Sequence, residues 1–153
     1  MIKIFAVGRL KHRAYAELTE EYLKRISRFT KVRLIETPDY DSGNDPSAIS
    51  REGEKILSEI NDRDWVILCD IGGTMLDSIA FAEHLGSLFT DGKSSVAFII
   101  GGSEGVSEEV RKRADERVSF SRLTFPHNLF RVILTEQIYR ACTIIKGEPY
   151  HHE

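Results

Sequence analysis

The chain has 153 residues, of which 41% are hydrophobic and 29% charged, and its formal net charge at pH 7 is −3. This length fits one domain with a substantial core, and the composition is that of a soluble globular protein. Its apolar runs are too short for a membrane span, and the first residues resemble a strand rather than a signal peptide. We therefore expect a single cytoplasmic domain over residues 1–153.

Strand and helix patterns alternate along the chain. Apolar runs predict strands at about residues 2–7, 32–37, 65–70, 96–100 and 117–120. Helical spacing predicts helices at about 14–29, from Asp45-Pro46 to Ile60, 78–89, from Ser107 to 113, and from 129 to 146 with Gly147 as the stop. This order is typical of an α/β domain with a mostly parallel sheet and flanking helices.

Three loops that follow consecutive strands share small and polar residues: Cys69–Thr74, Ile100–Gly105 and Phe120–Phe125. Ligands of parallel α/β sheets bind outside the carboxyl ends of the strands, so we expect these loops to form one pocket. Asp70 and Glu104 could form an acid/base pair there, or each could instead hold a ribose hydroxyl or a loop N–H. The alternative is that the glycines only supply tight turns.

The charge is distributed unevenly along the chain. Residues 1–33 hold nine Lys or Arg against three acidic residues, and residues 111–147 hold eight against three. Both ends are therefore basic in a chain that is acidic overall, which favours a basic face for a polyanion. Solvated helix faces are the alternative explanation.

Several kinds of site lack their sequence signature. The first strand has no G-x-G-x-x-G after it, and no Ser-His-Asp arrangement or nucleophile elbow occurs. Cys69 and Cys142 read as buried hydrophobic residues. The five histidines lack metal spacing, so we expect no metal. His151, near the end of the chain, is the histidine best placed to exchange a proton beside a pocket, unless it is simply solvated.

The motifs of the last third occur together in one known family. They are Ile99–Gly105, Leu123–His127, Arg131–Ala141 and Pro149–His151, with Ile4–Gly8 and Tyr22–Arg25 near the start. In these motifs the chain resembles the RlmH family of SPOUT methyltransferases over essentially its whole length. The resemblance implies methylation of N3 of a pseudouridine in 23S (large-subunit) ribosomal RNA, with S-adenosylmethionine as cofactor. A single small domain without an appended RNA-binding module favours assembled ribosomes as the substrate, with free RNA and a single subunit as the alternatives.

The resemblance also implies features that residue patterns do not predict. It implies that the C-terminal part of the α/β fold is threaded into a trefoil knot, although knots are nearly absent from proteins. It further implies a homodimer in which the partner chain completes each active site.

Carried over position by position, the resemblance implies a cofactor pocket and a catalytic tail. The tail residues Tyr150 and His151 would lie near the transferred methyl group. The family usually has Arg or Lys after this pair, whereas here His152 follows, which leaves open how the tail contacts RNA phosphate or the cofactor carboxylate. The pocket residues would be Cys69, Gly101, Phe120, Ser121, Arg122, Leu123, Thr124 and Phe125.

The implied reaction suggests roles for the tail and for three arginines. His151 would accept the N3 proton, and Tyr150 would orient the base or stack on it. Arg122, Arg131 and Arg140 would stabilise developing oxyanions or bind phosphate. For Arg131 and Arg140 a structural ion pair, for instance with Glu136, is the alternative.

Three other functions remain open. A SPOUT methyltransferase acting on tRNA or on another ribosomal position would share the fold and cofactor. A ribosome- or RNA-binding protein would keep the pocket without turnover. A flavodoxin-like nucleotide binder would fit the β/α alternation, although its phosphate motif is missing.

Overall fold

The computed structural model describes residues 1–41 and 43–152. Ser42 of the polar loop at 38–45 and Glu153 at the end of the tail lie outside the described residues. The described part alternates five strands with five helices: β1 Ile2–Val7, α1 Arg13–Ile26, β2 Val32–Thr37, α2 Ala48–Glu59, β3 Trp65–Met75, α3 Ser78–Thr90, β4 Val96–Ile100, α4 Glu108–Arg113, β5 Glu116–Ser119 and α5 His127–Lys146.

The five strands form one sheet in the order β2-β1-β4-β3-β5, and every pair is parallel. This confirms the predicted α/β class with a parallel sheet. Because β4 lies between β1 and β3, the order is not that of a flavodoxin-like sheet, which removes that alternative. Strand order does not describe how the chain is threaded, so the trefoil knot stays a prediction.

Helices cover both faces of the sheet. Alternate strand residues point to opposite faces. Ile4, Ile67 and Phe98 face α1, α3 and α5, while Phe5 and Ile99 belong to the core beneath α2 and α4. Burial on both faces explains why these strands read as nearly continuous apolar runs.

Some helix ends differ from the predicted ones. Helix α1 ends at Ile26 rather than near residue 29, and α5 begins at His127 rather than near 129. Helix α2 begins at Ala48, because the Asp45 carboxylate first closes a turn by accepting hydrogen bonds from the backbone N and Oγ of Ser47 at 2.9 and 2.8 Å. A carboxylate that satisfies backbone donors in this way favours a turn over the helix interior.

Two predicted helix ends are confirmed. The Ser107 hydroxyl accepts a hydrogen bond from the backbone N of Val110 at 3.3 Å and so caps α4. Gly147 ends α5 with a φ of 70°, a left-handed conformation in which glycine avoids the strain of a side chain.

The largest difference lies in β3, which extends to Met75 instead of ending near residue 70. Cys69 and Thr74 both align with Val118 of β5, so residues 70–73 leave the ladder and the strand then rejoins it. A Cβ on Gly73 would lie 2.6 Å from the backbone carbonyl carbon of Arg117. Gly73 therefore permits a close approach of two strands, rather than the strand-to-helix turn that the sequence predicts.

Candidate functional site

A cavity of about 580 Å³ opens at the carboxyl ends of β3, β4 and β5. Three chain segments line it, over residues 68–71, 100–106 without 104, and 118–127 without 122, joined by Arg111 and Phe130. The segments are far apart in sequence and meet because the parallel strands end at the same edge of the sheet. The expectation that the three loops form one pocket is therefore confirmed.

Seven of the eight residues predicted to bind cofactor line this cavity: Cys69, Gly101, Phe120, Ser121, Leu123, Thr124 and Phe125. The eighth, Arg122, is exposed and is not among the residues that line the cavity. Their proximity is a structural fact, whereas their role toward a cofactor stays a prediction.

The second lining segment is a tight loop that needs its glycines for its own shape. Gly105 adopts a φ of 87° and pairs with Gly102 in an isolated bridge. A Cβ on Gly101 would lie 2.9 Å from Cγ1 of Val106 and 3.1 Å from the Gly105 backbone. The turn-forming explanation for these glycines therefore holds alongside their position in the cavity wall.

The third lining segment is braced by serine hydroxyls and aromatic rings. The Ser119 hydroxyl donates to the Ser121 carbonyl at 2.9 Å, and the Ser121 hydroxyl accepts from the backbone N of Leu123 at 2.9 Å. The Phe120 ring packs against Phe130 at 5.3 Å between centroids. These contacts hold a loop without regular secondary structure in one conformation, with its backbone beside the cavity.

Charged side chains occupy one part of the cavity wall. Asp70 accepts hydrogen bonds through Oδ2 from Arg111 at 2.9 Å and from Arg117 at 3.2 Å. Burial alone would raise the pKa of Asp70, but the hydrogen bonds from Arg111 and from the Gly72 backbone outweigh it, so the pKa is lowered. The carboxylate is therefore ionised near neutral pH and fixes Arg111 at the wall.

Sequence reasoning chose Asp70 and Glu104 for this site but missed Arg111. Asp70 does line the cavity, whereas Glu104 is exposed and is not among the lining residues. Arg111 read only as a basic residue in the last turn of α4. Because Arg111 and Asp70 are 41 positions apart in the sequence, no local sequence pattern indicates that they contact each other.

Cys69 forms part of the cavity wall. Burial raises the pKa of its thiol far above the ordinary value, so the thiol stays protonated. A protonated thiol behaves as a small apolar group, although Cys69 is only half-buried rather than buried as the sequence predicts.

The predicted catalytic residues gather in a separate cluster, the tail cluster, formed by Glu136, Gln137, Arg140, Tyr150 and His151. Arg140 Nη1 lies 3.1 Å from Nδ1 of His151, and its Nη2 donates to Oε1 of Glu136. The Tyr150 hydroxyl donates to the same Glu136 oxygen at 3.1 Å. The structure thus brings Arg140, Tyr150 and His151 together, and Glu136 joins them.

Both Arg131 and Arg140 form an ion pair in the structure, each with a different glutamate. Arg140 pairs with Glu136, as its spacing of four residues suggested. Arg131 also forms a structural ion pair, but with Glu36 instead of Glu136: its fully buried side chain donates to Glu36 at 2.6 Å and to the Gly8 carbonyl at 3.1 Å. Arg131 therefore anchors α5 to the ends of β1 and β2, away from both the cavity and the tail cluster.

The tail cluster lies some distance from the cavity of its own chain. Helix α5 starts at the cavity with His127 and Phe130, while Arg140 lies ten residues beyond Phe130, about 15 Å further along the helix axis at 1.5 Å per residue. None of the tail cluster residues lines the cavity. The cavity and the tail cluster of one chain therefore lie at different places.

Within residues 1–41 and 43–152, no group of three or more His, Cys, Asp or Glu side chains is placed to hold a metal ion. No helix in that part of the chain has both the length and the apolar character needed to cross a membrane.

Comparisons with known proteins agree with this geometry. The family model described as a predicted SPOUT methyltransferase matches residues 1–151. Ribosomal RNA large subunit methyltransferase H of Clostridium kluyveri is 48% identical over 156 aligned residues, which cover 98% of each chain. The proteins of that name from Desulfitobacterium hafniense and Caldicellulosiruptor saccharolyticus are 49% and 46% identical, with 98% and 99% of each chain covered.

Proposed function

This chain belongs to the SPOUT methyltransferase family, and from that membership we propose that it methylates N3 of a pseudouridine in large-subunit ribosomal RNA. The observation that carries the proposal is the convergence of three distant segments on one cavity, in a chain matched by the family over nearly its full length. The relatives' names supply the RNA class. We propose that the reaction takes place in the cytoplasm, on the basis of the ribosomal substrate.

The cavity fits S-adenosylmethionine in size and chemistry. Its volume of about 580 Å³ lies in the usual range for small-molecule sites. Ile100, Val118 and Phe125 would flank the adenine ring, and the charged wall at Asp70 and Arg111 would face the zwitterionic amino acid end. The protonated thiol of Cys69 adds apolar surface without competing as a nucleophile.

The reaction requires the protein mainly to position the target nitrogen and the methyl group. S-adenosylmethionine supplies a methyl group that its sulfonium already activates. The chain has to hold the target nitrogen in line with that group, and alignment of this kind accounts for a large part of many enzymatic rate enhancements. We assign Tyr150 to orient the base, beside His151, and expect His151→Ala to lower kcat much more than the affinity for S-adenosylhomocysteine.

The distance between cavity and tail cluster supports a homodimer. Arg140 lies about 15 Å along α5 from Phe130, and none of the tail cluster residues lines the cavity of its own chain, so the tail is available to complete the cavity of a second copy. Isologous dimers contain two such sites related by a two-fold axis. We propose that each active site combines the cavity of one protomer with Arg140, Tyr150 and His151 of the other.

The basic N-terminal third supports contact with RNA, although its cations divide between the two ends of α1. One group, Arg9, Lys11 and Arg13, precedes or begins the helix, and the other, Lys24, Arg28 and Lys31, lies in its last turn or follows it, about 20 Å away. Arg28 lies 3.6 Å from Glu148 in the tail, so the second group borders the tail cluster. We propose that this second group binds phosphates that flank the target base.

Methyl transfer from labelled S-adenosylmethionine to intact ribosomes tests the function. Ribosomes with pseudouridine in the large-subunit RNA should take up label, and ribosomes without it should not. The matched control is His151→Ala, which should bind S-adenosylhomocysteine and transfer little label. Cofactor binding without label on either ribosome would overturn the ribosomal assignment, and label on tRNA instead would identify the competing SPOUT activity.

A further inference from the structure

The contact between Arg140 and His151 decides which nitrogen of the imidazole is available. Arg140 Nη1 lies 3.1 Å from His151 Nδ1, within hydrogen-bond distance. A guanidinium stays protonated and carries only N–H donors, so Nδ1 has to accept this bond. In a neutral imidazole the remaining nitrogen, Nε2, then carries the hydrogen and presents a donor.

We infer that His151 acts on the pseudouridine as a hydrogen-bond donor through Nε2, with Arg140 as the residue that fixes this tautomer. The inference rests on the proposed function and replaces the role of proton acceptor that the resemblance suggested. His151 is then the group that touches the base, and Arg140 is a positioning residue.

Arg140 is itself held in place from several sides. Its Nη2 donates to Glu136 Oε1, and its guanidinium lies 4.8 Å from the centre of the Tyr150 ring. The second oxygen of Glu136 accepts a hydrogen bond from Gln137 Nε2 at 2.8 Å. Turning Arg140 away from His151 would therefore disturb an ion pair and a cation–π contact together.

The other described groups of the tail cluster are poor proton acceptors in this arrangement. Burial and the nearby Glu136 carboxylate raise the pKa of Tyr150 to about 12, and its hydroxyl already donates to Glu136. Both Glu136 oxygens are occupied by donors from Arg140, Tyr150 and Gln137. The tail cluster therefore offers the base a hydrogen-bond donor, Nε2 of His151, rather than a proton acceptor.

A donor suits the chemistry of the target. N3 of pseudouridine lies between two carbonyl groups and is a weak imide acid, so its proton can leave to a solvent base. A hydrogen bond from Nε2 to a flanking carbonyl oxygen stabilises the negative charge that remains. The N3 electron pair then forms the bond to the methyl carbon, while the carbon–sulfur bond breaks and its electrons stay on sulfur.

Three substitutions of His151 separate donor from acceptor. Glutamine places an amide N–H₂ near the position of Nε2 but cannot take up a proton near neutral pH, whereas asparagine places its amide near Nδ1. We expect His151→Gln to keep kcat within about tenfold of the unchanged enzyme, and His151→Ala and His151→Asn to lose about 10²–10³-fold, the loss typical for one oxyanion donor. The Kd for S-adenosylhomocysteine should stay constant across the series.

If His151→Gln and His151→Ala lowered kcat equally while the unchanged enzyme was active, the donor role would be overturned. An unchanged enzyme that transfers no methyl group would instead overturn the proposed function, so the two failures are distinguishable.

The tautomer can also be observed directly. Nitrogen NMR of protein labelled in its histidines, with the His151 signals assigned by their loss in His151→Gln, should show hydrogen on Nε2. Arg140→Met should shift the signals toward a mixture of tautomers, a change that a purely structural arginine would not cause. Hydrogen on Nδ1 in the unchanged protein would refute the inference.

Discussion

At the residue scale, Arg111 is the positively charged side chain best placed to recognise an anionic part of a ligand in the cavity. Its Nη1 is engaged by Asp70, and within the described residues no other hydrogen bond from its guanidinium occurs. Four of the five N–H donors therefore remain free in a fork that matches a carboxylate. The amino acid end of S-adenosylmethionine carries such a carboxylate.

We expect Arg111→Met to weaken binding of S-adenosylhomocysteine by about tenfold or more, because a hydrogen bond to a charged group contributes roughly 1.5–3 kcal/mol. 5′-Methylthioadenosine lacks the amino acid end, so its affinity should not change. Calorimetric titration of both ligands measures the difference.

The matched control for this prediction is Arg117→Met. Arg117 also pairs with Asp70 but is not among the residues lining the cavity, so this variant should affect both ligands little. If Arg111→Met weakened both ligands equally, Arg111 would support the shape of the cavity instead of binding the carboxylate.

Glu52 introduces a pH dependence of stability. Burial, and to a lesser degree the neighbouring Asp39, raise the pKa of this carboxyl above 4.5, although a hydrogen bond from the Tyr40 backbone opposes the shift. A raised pKa in the folded state means that ionisation of Glu52 costs folding free energy. The contribution of Glu52 to stability therefore falls as the pH rises above the pKa that this carboxyl has in the unfolded chain. Glu52→Gln should therefore have a higher Tm than the unchanged protein at pH 7, and the gap should close near pH 4.

Thermal unfolding at several pH values measures this effect, and Glu54→Gln is the control. Glu54 lies on the same helix but is exposed, so its replacement should shift Tm equally at every pH. A gap for Glu52→Gln that stays constant with pH would contradict the linkage argument.

At the scale of elements, the irregular part of β3 forms one wall of the cavity. Residues 70–73 leave the ladder, and Asp70 and Ile71 of that stretch line the cavity. The strand can rejoin β5 only because Gly73 lacks a side chain against the Arg117 backbone. The shape of the cavity thus depends on one close backbone approach.

We expect Gly73→Ala to destabilise the protein by about 2 kcal/mol or more, because a Cβ 2.6 Å from backbone atoms forces β3 and β5 apart. Gly72→Ala is the matched control, since its Cβ would meet only Asp70 Oδ2, at 3.9 Å. Denaturant unfolding should show a loss of stability, and S-adenosylhomocysteine titration a loss of affinity, for Gly73→Ala alone. Equal stability of the two variants would argue against the packing explanation.

Helix α5 is the element that connects the cavity with the tail cluster. Phe130 near its start lines the cavity, Arg131 anchors it to β1 and β2, and Arg140 lies about 15 Å beyond Phe130. A rigid helix therefore sets the distance between the two halves of the proposed active site, and the left-handed turn at Gly147 returns the chain toward Glu136.

At the scale of the whole molecule, complementation between two inactive variants tests whether the sites are shared. Gly101→Val should distort the cavity wall, because a Cβ there would lie 2.9 Å from Val106 Cγ1, and His151→Ala should inactivate the tail. If the tail acts on the partner's cavity, mixed dimers contain one intact site of two, and an equimolar mixture should regain about a quarter of full activity.

If each tail instead acts on the cavity of its own chain, the same mixture should stay inactive, because every chain carries either a damaged cavity or a damaged tail. Sedimentation of each variant should first show that both still form dimers. Circular dichroism should show that Gly101→Val remains folded, so that a lack of recovery counts against the shared site.

The sequence by itself determined much of this protein. Strand and helix positions followed from local apolar periodicity and from turn residues such as Ser107 and Gly147, whose effects act within a few neighbouring residues. The three loops were also recognisable, because parallel strands place their carboxyl ends at one edge of the sheet. Recognition of the family added the RNA and the cofactor.

Only the tertiary structure decided which distant side chains meet. It paired Arg131 with Glu36 instead of Glu136, placed Arg111 on Asp70, and separated the tail cluster from the cavity of its own chain. It also showed that Gly73 permits the close approach of β5. Such contacts depend on strand order and crossover, which bring together residues tens of positions apart, and local patterns in a sequence carry no information about them.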